Sequence, residues 1–223
     1  MFASFNRHFP TMSLETQRRE YRFGRLSRES LAASPFDQFK GWLDDAMHGG
    51  LRDPTAMSVA TVDGSGRPWQ RLVLLKQIDR RGFVFYTNLG SRKARDIAGN
   101  NRVSLLFPWN ELDRQVIVGG IAERVSKVDV AKYFLSRPRE SQLAAIASRQ
   151  SNRLTSRQAL EAQFMQLKEK FSDRQLPVPD FWGGYRVLPN EFQFWQGGEH
   201  RLHDRFQYLL NEGGEWEIYR LAP

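Results

Sequence analysis

The stretch AMSVATVDGSGRPWQRLVLLKQIDRRGFVFYT, residues 56–87, decides the fold. Ala56 to Val62 reads as a strand and Asp63-Gly64-Ser65-Gly66 as a tight turn. Trp69 to Ile78 reads as a second strand, Asp79-Arg80-Arg81-Gly82 as a second turn, and Phe83 to Thr87 as a third strand. Strands joined in sequence by turns this short pair antiparallel, so a meander or barrel is expected rather than βαβ units. Downstream, Ser91 opens a short helix to about Ala98, and Val103 to Trp109 and Arg114 to Val125 continue the strands.

Helices are expected from Ser126 or Lys127 to Ser136, from Arg139 to about Ala147, and from Ser156 to Phe171. The last of these carries Leu160, Phe164, Leu167 and Phe171 on one face. Past the connector Leu176-Pro177-Val178-Pro179, three strands are predicted: Tyr185–Trp195, His200–Leu210 and Trp216–Leu221. Upstream, Ser34 and Pro35 cap a helix whose apolar face is Phe36, Phe39, Leu43 and Met47, and Gly49-Gly50 ends it. Glu15 to Arg22 reads as a short polar helix. The expected organisation is a flexible arm over residues 1–16 and one α+β domain over 17–223.

The chain has 223 residues, with 33 Lys and Arg against 25 Asp and Glu, a net charge of +8. It contains no cysteine, which excludes a disulfide framework, a thiolate metal site and a cysteine nucleophile, and which suits a cytoplasmic location. No apolar run approaches the ~18–20 residues of a membrane-spanning helix, and the N-terminal residues lack the apolar stretch of a secretory signal. The positive charge points to an anionic partner: nucleic acid, a membrane surface or a phosphorylated small molecule.

The placement of the cations narrows that choice. Arg71 and Lys76 bracket an apolar strand segment, Leu72, Val73, Leu74 and Leu75, where cations either are buried and need partners or emerge into solvent. Tyr86-Thr87 and Ser91-Arg92-Lys93 join a strand end to a helix start. Cations there oppose the helix dipole, unless an anion sits between them and the helix. Tyr133, Arg137 and Ser141 offer a hydroxyl, a guanidinium and a second hydroxyl suited to a phosphate, and Gln150-Ser151 form a polar stretch between helices. Arg201, His203 and Arg205 share one face if a strand begins near His200, and Trp195 with Gly197-Gly198 supplies a flat surface beside them. The basic residues are dispersed over several turns and do not form a stripe, which favours phosphate esters on flat rings over RNA. A metal site is not expected, since His200 and His203 would point to opposite strand faces among cations.

Phe194-Trp195-Gln196 followed by Arg201-Leu202-His203-Asp204-Arg205 resembles the signature of the pyridoxamine 5′-phosphate oxidase family. Arg18-Arg19-Glu20-Tyr21, Asp53 to Met57, Arg71 to Lys76, Phe85 to Lys93, Ser104 to Trp109, Ser136 to Arg139, Phe181 to Gly184 and Arg220 to Pro223 resemble further segments of it, in family order. The resemblance implies an antiparallel split β-barrel flanked by helices, with FMN bound at a homodimer interface. It also implies oxidation of pyridoxamine or pyridoxine 5′-phosphate to pyridoxal 5′-phosphate, with oxygen as acceptor and hydrogen peroxide as by-product, plus ammonia from the amine. Nucleic acid and membrane are then not partners.

By the same resemblance, Arg71, Leu72, Val73, Leu74, Leu75, Lys76, Tyr86, Thr87, Arg92, Lys93, Gln115, Gln150, Ser151, Trp195 and Arg205 would bind FMN. Lys76, Tyr133, Arg137 and Ser141 would grip the substrate phosphate. Arg201 and His203 would lie over the reacting carbon, with Leu202 between them, and Arg18, Arg19, Glu20 and Tyr21 would close over the substrate. A related flavin reductase with another substrate is the neighbouring alternative. Gln193 stands where the signature usually has Glu, and is expected to lie off the face that carries the neighbours of Trp195.

Overall fold

The computed structural model describes residues 13–16, 19–21, 24–172 and 174–223. The sheet has nine strands: β1 Ala56–Val62, β2 Pro68–Leu74, β3 Gln77–Asp79, β4 Gly82–Asn88, β5 Arg102–Trp109, β6 Arg114–Arg124, β7 Trp182–Gln196, β8 Asp204–Leu210 and β9 Trp216–Leu221. Every pairing is antiparallel, in the order β2-β1-β5-β6-β7-β4-β3, with β8 and β9 continuing from β7. The expected second strand is broken at Leu75-Lys76, where the chain changes neighbours. Leu75 N–H donates to Thr55 O at 2.9 Å and Lys76 N–H to Val84 O at 2.8 Å. That crossover joins the β2 end of the sheet to its β3 end, and the sheet curls into a split barrel.

Asp63 builds the β1–β2 turn. Its carboxylate accepts from Ser65 N–H, Ser65 Oγ, Arg67 N–H and Trp69 Nε1, and Gly66 takes a left-handed φ of 81°. These hydrogen bonds hold the Asp63 carboxyl far below the usual carboxylate range. At the β3–β4 turn, Gly82 has φ 138°, and a Cβ there would lie 1.9 Å from Val187 O, so only glycine fits.

Helix α1, Pro35–His48, fills the barrel with Phe39, Trp42, Leu43 and Ala46. Phe39 is fully buried and meets Phe83, Phe107 and Trp109 at ring-centroid distances of 4.9, 4.8 and 5.6 Å. Met47, expected on the buried face, is exposed; the buried stripe runs through Gln38, Trp42 and Ala46 instead. α2 is Arg92–Gly99, α3 Lys127–Ser136, α4 Arg139–Ala147 and α5 Arg157–Lys170. Phe134 of α3, Leu143 of α4 and Leu176 make a second, smaller core, against which Phe164, Leu167 and Phe171 pack. The predicted helix over Glu15–Arg22 is absent among its described residues: Glu15 and Thr16 form a turn, and Arg19 to Tyr21 are irregular because they lie against the barrel through specific contacts. Most of the expected arm, residues 1–12, is outside the described residues.

Phe39→Ala empties the centre of the aromatic cluster, and is expected to destabilise the fold by about 3–5 kcal/mol. The urea unfolding midpoint checks this.

Candidate active site

Three groups of side chains hold the residues singled out in the sequence. The first lies where β4 runs into α2. Lys93 is only 7% exposed, and its ammonium donates to Thr87 Oγ1 at 3.0 Å and Gln150 Oε1 at 3.2 Å. Both partners are neutral. Burial, with Arg71 nearby, pulls its pKa down to about 8. Ser91, fully buried at the N-cap of α2, does not cap the helix with its hydroxyl, which sits 3.5 Å from Thr87 Oγ1.

Arg71 reaches in from β2. Its Nη1 donates to Thr61 Oγ1 at 2.6 Å and its Nη2 lies 3.6 Å from Asp96 Oδ2, while Thr61 itself donates to Asp96 at 2.7 Å. Arg92 sits over the Trp69 ring at 3.6 Å and is 3.7 Å from Asp63. Arg71, Arg92 and Lys93 thus bring three positive charges to one helix start. Asp96 and Asp63 touch two of them, and Lys93 is left with neutral oxygens. A buried ammonium without a counter-charge is costly, and a phosphate at the N-terminus of α2 supplies one.

The second group is a shelf made by α3 against β4 and β7. Tyr133 stacks on Tyr86 at 3.9 Å and 12°, and a Cβ on Gly184, opposite Tyr86, would lie 2.7 Å from that ring. Arg137 lies over Trp182 at 4.4 Å. Arg137 Nη1 and Trp182 Nε1 are buried without an acceptor, each at a cost of about 1–3 kcal/mol.

The third group gathers at the far end of β7. Trp195, His203 and Tyr21 form a three-ring corner, with centroid distances of 4.7 Å for Trp195–His203, 5.5 Å for Tyr21–Trp195 and 5.1 Å for Tyr21–His203. His203 Nδ1 accepts from Gly198 N–H at 3.1 Å, so its ring proton is on Nε2. Burial and the Arg201 charge lower its pKa, and the ring is neutral at pH 7. Arg201 extends over Tyr21 at 5.9 Å. Beside the corner lies a cavity of about 440 Å³ lined by Arg19, Tyr21, Asp113, Arg114, Gln115 and Trp195, among others. Arg19 closes its rim by pairing with buried Asp113 and by donating to Asn110 O at 2.8 Å.

Several expectations need correction. Arg201 and His203 do not share a strand face with Arg205. Glu199–Arg201 is a 3₁₀ turn, His200 and Arg201 have left-handed φ values of 55° and 65°, and β8 begins only at Asp204. The Gly198–His203 bond closes this loop and prevents extension. Arg205 is opposite Trp195 in register, but its guanidinium donates to Ala222 O at 3.0 Å and to Gln193 Oε1 at 3.2 Å. Gln193 therefore does touch a site residue, since residues two apart share a strand face. Bulky neighbours on β2 do not signal burial throughout: Leu72 is 73% and Leu74 43% exposed, and Lys76 is exposed, while Val73 is half-buried and Leu75 buried.

Ser151 is exposed with φ 69°, Leu202 and Glu20 are exposed, and Ser141 is half-buried on α4. Arg18 lies outside the described residues. Asp96, Asp113 and Trp69 are not among the candidate site residues of the sequence, and Trp182 enters there only within the family-like segment Phe181 to Gly184, with no role attached. Asp96 has a further signal, four residues along the helix from Arg92.

Residues 43–171 match the family described as pyridoxamine 5′-phosphate oxidase, and residues 182–223 match the pyridoxine 5′-phosphate oxidase C-terminal dimerisation region. The chain belongs to the pyridoxamine 5′-phosphate oxidase family. It is 57% identical over 212 residues to the pyridoxine/pyridoxamine 5′-phosphate oxidase of Vibrio campbellii, covering 95% of this chain and 100% of the relative. Its identity to the enzyme of that name from Teredinibacter turnerae is 58%, with the same coverage. Among solved structures it is similar to PhzG from Burkholderia lata in complex with tetrahydrophenazine-1-carboxylic acid, with a TM-score of 0.83 and 31% identity over 87% of this chain and 95% of that one. The FMN of this family carries one phosphate monoester, and the uncompensated Lys93 site fits it.

Below pH 8 Lys93 is charged; above it, binding a phosphate must first return a proton to the ammonium. The affinity of the apoprotein for FMN is therefore expected to be flat up to about pH 8 and to fall roughly tenfold per pH unit above it. Lys93→Met should weaken binding and abolish that slope. Flavin-fluorescence titrations from pH 6.5 to 9.5 measure both.

Proposed function

We propose that this chain is an oxidase that converts pyridoxamine 5′-phosphate and pyridoxine 5′-phosphate to pyridoxal 5′-phosphate, with FMN shared between two copies of the chain in the cytoplasm. The observation that carries the shared site is the separation of the residue groups along β7. Thr87 is opposite Gly183, whereas Trp195 is twelve residues further along the same strand, about 40 Å of strand at ~3.3 Å per residue. Within one chain the two groups thus lie at opposite ends of this strand. A second copy, docked through the C-terminal region, brings the ring corner of one chain to the phosphate site of the other.

In this reading Arg71, Lys93 and Arg92 hold the FMN phosphate at the start of α2. FMN, when bound, supplies a two-electron acceptor for the substrate C4′–H bond, which oxygen then reoxidises with release of hydrogen peroxide. Tyr133 and Arg137 hold the substrate phosphate on the shelf, with Ser141 and Lys76 at its edge. Anchoring the phosphate there fixes the ring at one distance from the flavin site and removes most of its orientational freedom. Arg201 and neutral His203 cover the substrate ring, and His203 offers its Nε2 proton as a donor to the substrate oxygen or nitrogen. Tyr21, held down through Arg19 and Asp113, excludes water from that corner. The chain thus supplies binding, orientation and charge rather than a nucleophile.

Anaerobic addition of pyridoxamine 5′-phosphate to FMN-loaded protein should bleach the flavin absorbance, and oxygen should restore it with pyridoxal 5′-phosphate and peroxide in equal amounts. A flavin that stays oxidised with both vitamers overturns the substrate assignment. Arg201→Ala and His203→Ala are expected to lower kcat by about 10²-fold or more through lost positioning, with FMN content unchanged. Asp113→Ala, which frees Arg19, should raise KM several-fold at similar kcat.

A further inference from the structure

The two buried N–H groups without an acceptor, Arg137 Nη1 and Trp182 Nε1, belong to side chains that touch. The Arg137 guanidinium lies 4.4 Å from the Trp182 ring centroid and 5.9 Å from that of Phe134, and the two rings meet edge to face at 5.9 Å. Among the described residues no carboxylate pairs with Arg137, in contrast to Arg71 with Asp96, Arg92 with Asp63, Arg114 with Asp45 and Arg186 with Asp79. Its main chain is fixed: Arg137 ends α3, Pro138 follows, and Gln142 Nε2 donates to Arg137 O at 2.7 Å. Among the described residues its charge is oriented by aromatic faces.

Trp182 is itself a rigid support. It opens β7 opposite Asn88 of β4, and its backbone N–H donates to Pro179 O at 2.9 Å. An acidic partner would orient a guanidinium equally well, but would cancel the charge that a dianion needs and repel the dianion directly. A π face orients the cation and leaves its charge intact.

We propose that Trp182 is a positioning residue that sets selectivity for phosphorylated substrate, its ring face fixing Arg137 while leaving the guanidinium's full charge for the phosphate. This rests on the reading of Arg137 as a ligand of the substrate phosphate. The removal of the ring acts on KM for phosphorylated substrate, not on the hydride-transfer step, and not on substrates that lack the phosphate.

The test uses FMN-loaded protein with pyridoxine 5′-phosphate and, separately, unphosphorylated pyridoxine. Trp182→Met and Trp182→Leu are two apolar replacements without a π face, so a folding failure in one leaves the other. Each is expected to raise KM for pyridoxine 5′-phosphate about tenfold with kcat within about twofold, and to leave kcat/KM for pyridoxine unchanged. Trp182→Phe keeps a face and should stay within about threefold of the wild type. Combined with Arg137→Ala, Trp182→Met should add nothing further. The proposal is overturned by an unchanged KM in the Met and Leu variants, by equal losses for both substrates, by a Phe variant as impaired as Met, or by a full Trp182 effect in the Arg137→Ala background. The underlying reading fails separately: Arg137→Ala with unchanged discrimination between the two substrates removes Arg137 from the phosphate site, whereas a raised KM in Arg137→Ala with a normal Trp182→Met removes only Trp182.

Discussion

Strand β7 is the constraint on which the rest of the structure depends. It is fifteen residues long and pairs with β4 along its first half, β8 along its second and β6 along most of its length. A register shift at Gly119/Gly120 lets it bend: a Cβ on Gly120 would lie 2.3 Å from Leu188 O, so the close approach of β6 to β7 at the shift requires glycine. Both recognition surfaces hang from this one strand. Its N-terminal end carries the Tyr86–Tyr133 and Arg137–Trp182 shelf beside the Lys93 site, and its C-terminal end carries Trp195 with His203 and Tyr21. A strand that belongs to both halves of the barrel holds the two groups of side chains at its opposite ends, which is the basis of the proposal that a second copy completes the site.

Charge compensation separates the cations that tie elements together from those proposed to meet ligands. Arg114, Arg186 and Arg220 each have a carboxylate at 2.6 Å and tie elements together: Arg114 joins β6 to α1, Arg186 joins β7 to β3, and Arg220 joins β9 to β8. Lys93 and Arg137 are buried or half-buried, are lowered in pKa by that burial, and among the described residues have no carboxylate partner. In the proposed reading two phosphates are held at once, one on the cofactor and one on the substrate, and Lys93 and Arg137 would each meet one of them. The net charge of +8 is thus partly spoken for by ion pairs and partly held ready for ligands.

Much of this was legible in the sequence, where local rules apply. The β1–β2 turn, α1 with its Ser34-Pro35 start, and the strand-to-helix junction at Ser91 follow from turn chemistry, capping and period. The misreadings occurred where tertiary contacts override those rules. Residues 69–78 have continuous strand character, but are broken at Leu75-Lys76 because the chain there exchanges Thr55 for Val84 as its hydrogen-bond partner. Residues 199–203 look extendable, but are held as a left-handed loop by the bond from Gly198 to His203. Asp113 and Trp182 carry no local signal, since Arg19 and Arg137 lie 94 and 45 positions away in the chain. Family resemblance named candidate site residues that composition left open, but it did not show how their charges are balanced.

The claim that one site is built from two copies is open to a direct measurement: mixing two variants, Lys93→Met, damaged at the phosphate end of β7, and Arg201→Ala, damaged at the ring end. In a mixed dimer both lesions fall in one composite site and leave the other intact. After equal mixing and full subunit exchange, activity is expected to return to about a quarter of the wild-type value, since half the dimers are mixed and each has one intact site of two. If each chain held a complete site of its own, mixing would recover no activity beyond that of the separate variants, and the shared site would be contradicted.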